Sequence, residues 1–80
     1  MQIILSSRAR KQLQSFSLDI KSRIEEKIDF FTQQENPLLF SKPLGDGFYR
    51  FRVGDYRIVF YIENSVMYVD KIDRRDKVYR

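Results

Sequence analysis

Two rhythms divide the chain. From Ala9 to Phe31, apolar side chains recur at three- and four-residue intervals; from Tyr49 to Arg57 they largely alternate with polar ones. The first period belongs to helices and the second to strands. Gln2-Ile-Ile-Leu5 is a short β-prone start. Ser6 and Ser7 are suited to cap a helix over residues 7–15, whose apolar side is Ala9, Leu13 and Phe16. Ser17 is suited to cap a second helix, with Asp19 in the first turn, where the macrodipole favours a carboxylate. Its stripe is Ile20, Ile24, Ile28 and Phe31, and Lys21, Arg23, Glu25, Glu26, Lys27 and Asp29 form the solvated side. Asn36-Pro37 predicts the stop. Leu38 to Gly47, punctuated by Pro43, Gly45 and Gly47, is expected to be a connector. Three strands follow, near 48–53, 56–62 and 66–72. Gly54-Asp55 fits a two-residue hairpin turn with glycine first, and Asn64-Ser65 fits the next turn less decisively. Residues 73–80 form a tail. The order β-α-α-β-β-β predicts a single α+β domain over residues 1–80, an antiparallel sheet with both helices on one face.

Alternation then sorts the side chains of the first hairpin. With Gly54-Asp55 as the turn, Val53 stands opposite Tyr56, Arg52 opposite Arg57, and Tyr49 opposite Phe60. Residues 49, 51, 53, 56, 58, 60 and 62 make one apolar face for the helices to cover. Arg50, Arg52 and Arg57 cluster on the open face with Phe48. Like charges directly opposite one another weaken a sheet. A solvated face, with guanidinium groups paired to Asp55, Asp70 or other carboxylates, is the plain reading. A site for phosphate, whose oxygens the planar guanidinium fork matches, is the functional one. Phe48, Tyr61 and Tyr68 are candidates to stack bases on the same face.

Composition narrows the chemistry. In 80 residues there is no cysteine and no histidine. That excludes disulfides, thiolate nucleophiles and zinc–thiolate sites, and removes the usual neutral-pH acid/base. Net charge is +4. Residues 1–41 hold six Lys/Arg against five Asp/Glu, and residues 42–80 hold nine against six. The basic surplus therefore lies with the strands and tail, which favours a polyanion or an acidic partner. The tail, Asp73-Arg-Arg-Asp-Lys-Val-Tyr-Arg80, adds Arg74, Arg75, Lys77 and Arg80 around Tyr79. Tyr79 could stack on a base, pack the tail onto the sheet, or move a proton. Guanidinium groups beside it would lower its pKa from the ordinary ~10.

Lys42-Pro-Leu, then Tyr49-Arg-Phe-Arg-Val-Gly-Asp-Tyr-Arg-Ile-Val-Phe60, then the tail closely resemble the RelE/ParE superfamily of type II toxins, over essentially the whole chain. The resemblance implies the microbial ribonuclease-like RelE fold and a cytoplasmic toxin held by a cognate antitoxin in a toxin–antitoxin hetero-oligomer. In the RelE-like branch, which the terminal Val-Tyr-Arg favours, it implies a metal-independent endoribonuclease without cofactor. Such a toxin cuts mRNA in the ribosomal A site, the 2′-OH attacking the adjacent phosphate and translation stopping. Carried over by position, the catalytic residues are Arg50, Arg52, Arg57, Arg75 (or Arg74 as the arginine after the last strand) and Tyr79. Lys42, Arg74, Lys77 and Arg80 are the expected RNA-binding residues. The chain departs from the pattern by arginines at 50 and 52, where some members carry lysine, and by lacking the histidine many have near Arg74. Tyr79 then bears more of the proton transfer. A ParE-like inhibitor of DNA gyrase is the alternative, and a non-catalytic nucleic-acid-binding module or inactive remnant is a third. No membrane association is expected.

Overall fold

The computed structural model describes residues 1–74. Strand β1 (Gln2–Leu5) leads into α1 (Ser7–Ser15) and α2 (Leu18–Thr32). A 3₁₀ turn (Pro37–Phe40) follows, then β2 (Lys42–Gly45), β3 (Phe48–Val53), β4 (Tyr56–Glu63) and β5 (Val66–Arg74). The helix starts lie where the serines predict them. Ser6 Oγ accepts the Ala9 N–H at 2.9 Å and Ser17 Oγ accepts that of Ile20 at 3.3 Å. The α2 helix ends at Thr32, before Asn36-Pro37. Phe31 is its last buried residue. Pro37 instead opens the 3₁₀ turn, where its missing N–H costs nothing, and Asn36 caps it by accepting from Leu38 N.

The sheet order is β1-β5-β4-β3-β2. Neighbours in β2 to β5 are antiparallel, but β1 runs parallel to β5, so the sheet is mixed where the sequence predicted it wholly antiparallel. No tight turn joins those two strands: the chain between them passes through both helices and three strands, and parallel neighbours require such a connection. The expected connector also holds an extra edge strand, β2, paired with β3 from Lys42↔Arg50 to Gly45↔Phe48. Both tight turns sit where expected. Gly54 takes φ 59°, while Asn64 and Ser65 both take positive φ (53° and 63°), as a type I′ turn requires.

The helices cover one face. Ala9, Leu13, Ile24, Ile28 and Phe31 pack on Phe51, Ile58, Phe60, Met67, Val69 and Ile72. Phe31 stacks on Phe51 with centroids 4.0 Å apart. Among the described residues no helix lies on the opposite face, which carries Arg50, Arg52 and Arg57.

The β5 strand is longer than predicted and is not regular. Val59 pairs with Lys71, but Phe60 pairs with Val69, which leaves Asp70 as an extra residue, a β-bulge. Two side chains of the α1 region bond to it. Ser6 Oγ donates to the Asp70 carbonyl at 2.6 Å, and Gln12 Oε1 accepts the Ile72 N–H at 2.8 Å. The helix that covers the core thus also supplies partners for backbone groups that the bulge takes out of the ladder.

Candidate nucleic-acid interface on the open sheet face

The register confirms which side chains meet. Arg52 stands opposite Arg57, Arg50 opposite Val59, and Lys42 opposite Arg50. Partners in register share a face, so Lys42, Arg50, Arg52 and Arg57 lie together on the side away from the helices. Arg52 is exposed, while Arg50 and Arg57 are half-buried. Val59 is buried on this same face, at 4% exposure, and stands outside the main core. The register sets Arg50 on one side of it and Lys71 on the other, so their aliphatic stems flank an apolar floor while their charged heads reach outward.

Lys71 is a member that the sequence reading missed. Counted by strict alternation from Tyr68, Asp70 would share the open face and Lys71 would point into the core. The bulge reverses this: Lys71 and Asp73 face outward and Ile72 inward. The signal was present as two apolar residues three apart, Val69 and Ile72, which no unbroken strand can bury together.

Asp73, read from sequence as the start of the tail, belongs to β5 and stands opposite Arg57. Its Oδ2 accepts from Arg57 Nη2 at 3.3 Å and lies 3.5 Å from Lys71 Nζ. One oxygen therefore serves two cations. Arg57 Nε is buried and finds no hydrogen-bond partner among the described residues. The carboxylate expected to temper the arginines exists, and it is Asp73 rather than Asp55 or Asp70.

Aromatic rings occupy the other end of the face. Phe48 meets Tyr61 edge-on at 5.3 Å, and Tyr61 stacks on Tyr68 at 5.0 Å and 15°. They form a row across β3, β4 and β5, each ring half-buried. Cationic groups for phosphates and π faces for bases thus lie side by side on one sheet, the arrangement used by single-strand nucleic-acid binders.

Arg74 does not join this face. It ends β5 opposite Tyr56, and its guanidinium carbon lies 5.9 Å from that ring's centroid, on the helix side. Arg75, Lys77, Tyr79 and Arg80 lie outside the described residues. No helix among the described residues is long and apolar enough to cross a membrane.

Residues 3–79 match the family model described as the ParE toxin of the type II toxin–antitoxin system parDE. No protein of curated function matches. Among solved structures, the fold is shared with the archaeal RelE–RelB complex from Pyrococcus horikoshii (25% identity, TM-score 0.78, covering 95% of this chain and 96% of that one). It is shared also with the toxin–antitoxin complex RelBE2 from Mycobacterium tuberculosis (24%, TM-score 0.77, 92% and 90%). The isolated RelE toxin of E. coli matches at 17% identity and TM-score 0.74, covering 98% and 89%.

Proposed function

The chain belongs to the RelE/ParE superfamily of type II toxins, and from that premise we propose that it is a ribosome-dependent mRNA endonuclease acting as one domain over residues 1–80. The observation that carries this reading is the open face itself, where Arg50, Arg52, Arg57 and Lys42 adjoin the row Phe48, Tyr61 and Tyr68.

In the reaction, the ribose 2′-oxygen attacks the adjacent phosphorus and the bond to the 5′-oxygen of the next nucleotide breaks. A 2′,3′-cyclic phosphate and a free 5′-hydroxyl result. One proton leaves the 2′-OH and one reaches the departing oxygen. Arg50, Arg52 and Arg57 neutralise the extra charge of the five-coordinate phosphorus, the preorganised electrostatic role. Arg75 adds to that neutralisation, and Tyr79 handles a proton. Lys42, Lys77 and Arg80 hold flanking phosphates, and Arg74, on the helix side, is not among them. A site without histidine is slow on free RNA, and mRNA fixed in the ribosomal A site supplies the in-line geometry that such a site lacks.

A cytoplasmic partner antitoxin follows from the same face. The relatives crystallised as RelB–RelE complexes. Here the partner presents an acidic segment, as helix or strand, that covers Arg50, Arg52 and Arg57. A second reading is the inhibition of DNA gyrase that the ParE-like resemblance implies, and it is favoured because the matching family model is that of a ParE toxin.

Primer extension on translated mRNA after induction, run beside a gyrase supercoiling assay, separates the two. The proposal expects new 5′ ends within translated codons and unchanged supercoiling. Intact mRNA with loss of supercoiling activity would establish the gyrase reading.

A further inference from the structure

The nuclease reading leaves two open-face groups without a role: Lys71, which the bulge turns outward, and Asp73, whose single oxygen contacts both Lys71 and Arg57. We propose that Lys71 and Arg57 form one phosphate-binding pair, and that Asp73 is a built-in counter-ion that holds the pair together in the free toxin and gives way when a phosphodiester enters. The proposal rests on the reading of the open face as a phosphate site.

Three observations support it. First, the geometry converges: two nitrogens from neighbouring strands lie within 3.3 and 3.5 Å of one acidic oxygen, so an anionic oxygen is already the preferred occupant of the point between them. A phosphate oxygen placed there meets the same donors and brings further oxygens to its neighbours. Second, the present occupant leaves the site incomplete. Asp73 engages Arg57 through Nη2, while Arg57 Nε, buried beside it, has no partner among the described residues. A guanidinium binds an oxyanion best through two of its N–H groups, and the carboxylate satisfies one. Third, the pair is half-buried: the side chains of Arg57, Asp73 and Lys71 are 30%, 26% and 33% exposed. The cations are therefore less screened than surface charges, and they require a counter-ion when no substrate is bound. A carboxylate fixed on the same strand meets that need, at the expense of repelling the incoming phosphate.

The test uses a short single-stranded RNA in which every ribose is 2′-O-methylated, so that it binds without being cut. Its affinity is measured by titration over a range of salt concentrations for wild type, Asp73→Asn, Lys71→Gln, Arg52→Gln and Arg57→Gln, each checked for folding by thermal melt. Asparagine keeps the size and an acceptor oxygen but loses the charge. Asp73→Asn should bind RNA roughly two- to fivefold more tightly at low salt, the equivalent of one partly exposed ion pair, while melting at a lower temperature. Lys71→Gln should weaken binding and reduce the salt slope by about 0.7, one phosphate contact on a single strand. A purely structural Asp73 would lower the melting temperature and leave affinity unchanged or reduced, and either result overturns the proposal. So does an unchanged affinity and slope in Lys71→Gln, which reads the same pair should Asp73→Asn fail to fold. If Arg52→Gln and Arg57→Gln also leave affinity and slope unchanged, the phosphate site on this face is refuted as a whole. If those two weaken binding while Asp73→Asn and Lys71→Gln both leave affinity and slope unchanged, only the counter-ion proposal falls.

Discussion

Arg52 and Arg57 stand opposite one another, but their surroundings differ. Arg57 has Asp73 within 3.3 Å, while Arg52 is exposed at the end of β3. Repulsion between the two is therefore tempered from one side. Arg52→Met keeps most of the stem and removes the charge, and it should stabilise the free protein by about 0.3–0.5 kcal/mol at low salt, the lower part of the cross-strand range. The gain should vanish as salt is raised. Asp73→Asn should act in the opposite direction, destabilising by about 0.5–1 kcal/mol, because Arg57 and Lys71 then face each other without a counter-charge. The two substitutions should not be additive. With Asp73 gone, the Arg52–Arg57 repulsion is felt in full, so Arg52→Met should gain more in that background than in wild type. Urea melts of the four proteins at low and high salt measure this coupling. A gain from Arg52→Met that is identical in both backgrounds would mean Asp73 does not temper this pair.

The bulge in β5 decides which residues the open face receives, and it is bonded from α1. Ser6 both caps that helix and donates to the Asp70 carbonyl, and Gln12 accepts the Ile72 N–H. Ser6→Ala should therefore cost about 1–2 kcal/mol, a cap and a hydrogen bond together. Gln12→Ala should cost about 1 kcal/mol. Both should speed amide hydrogen exchange at Ile72 and weaken RNA binding through a loosened Lys71, although neither residue is on the open face. Exchange rates equal to wild type at Ile72 in Gln12→Ala would show that the bulge holds without its helix-side bond. The elements that sequence reading located well are those fixed by local chemistry: the serine caps, the stripe Ile24, Ile28 and Phe31, and the Gly54-Asp55 turn that sets Arg52 against Arg57. What it missed is set by partners distant in the chain. The parallel seat of β1 depends on β5, more than sixty residues away, and the edge strand β2 has a proline and a glycine and gains its hydrogen bonds only from β3. Lys71 and Asp73 were missed for the same reason, since the Asp70 bulge takes its bonds from Ser6 and Gln12 at the other end of the chain.

At the scale of the molecule, one sheet separates two tasks. Its helix side holds the chain together through Phe31, Phe51 and Phe60, while the other side is left to charge and aromatic rings. This division permits binding and chemistry to be tested without unfolding the protein. On the open face the cations lie toward the Gly54-Asp55 turn and the rings toward the Asn64-Ser65 turn. RNA lying along the strands would then meet phosphate ligands at one end and stacking surfaces at the other. Tyr68→Ala should weaken binding of the methylated RNA by about 1–3 kcal/mol, the worth of a base–aromatic stack, whereas Tyr68→Phe should leave both binding and cleavage near wild type. Tyr79→Phe should behave in the opposite sense. The fold and the binding should persist, and cleavage of ribosome-bound mRNA should fall by ~10²–10⁴-fold, the usual contribution of a general acid or base. The contrast matters because both tyrosines are candidates to stack, and only a phenol that moves a proton is sensitive to the loss of its oxygen alone. If Tyr79→Phe cleaves as fast as wild type, proton transfer belongs to another group, and Lys71, the ammonium that the bulge delivers to the same face as Arg50 and Arg57, becomes the first one to substitute.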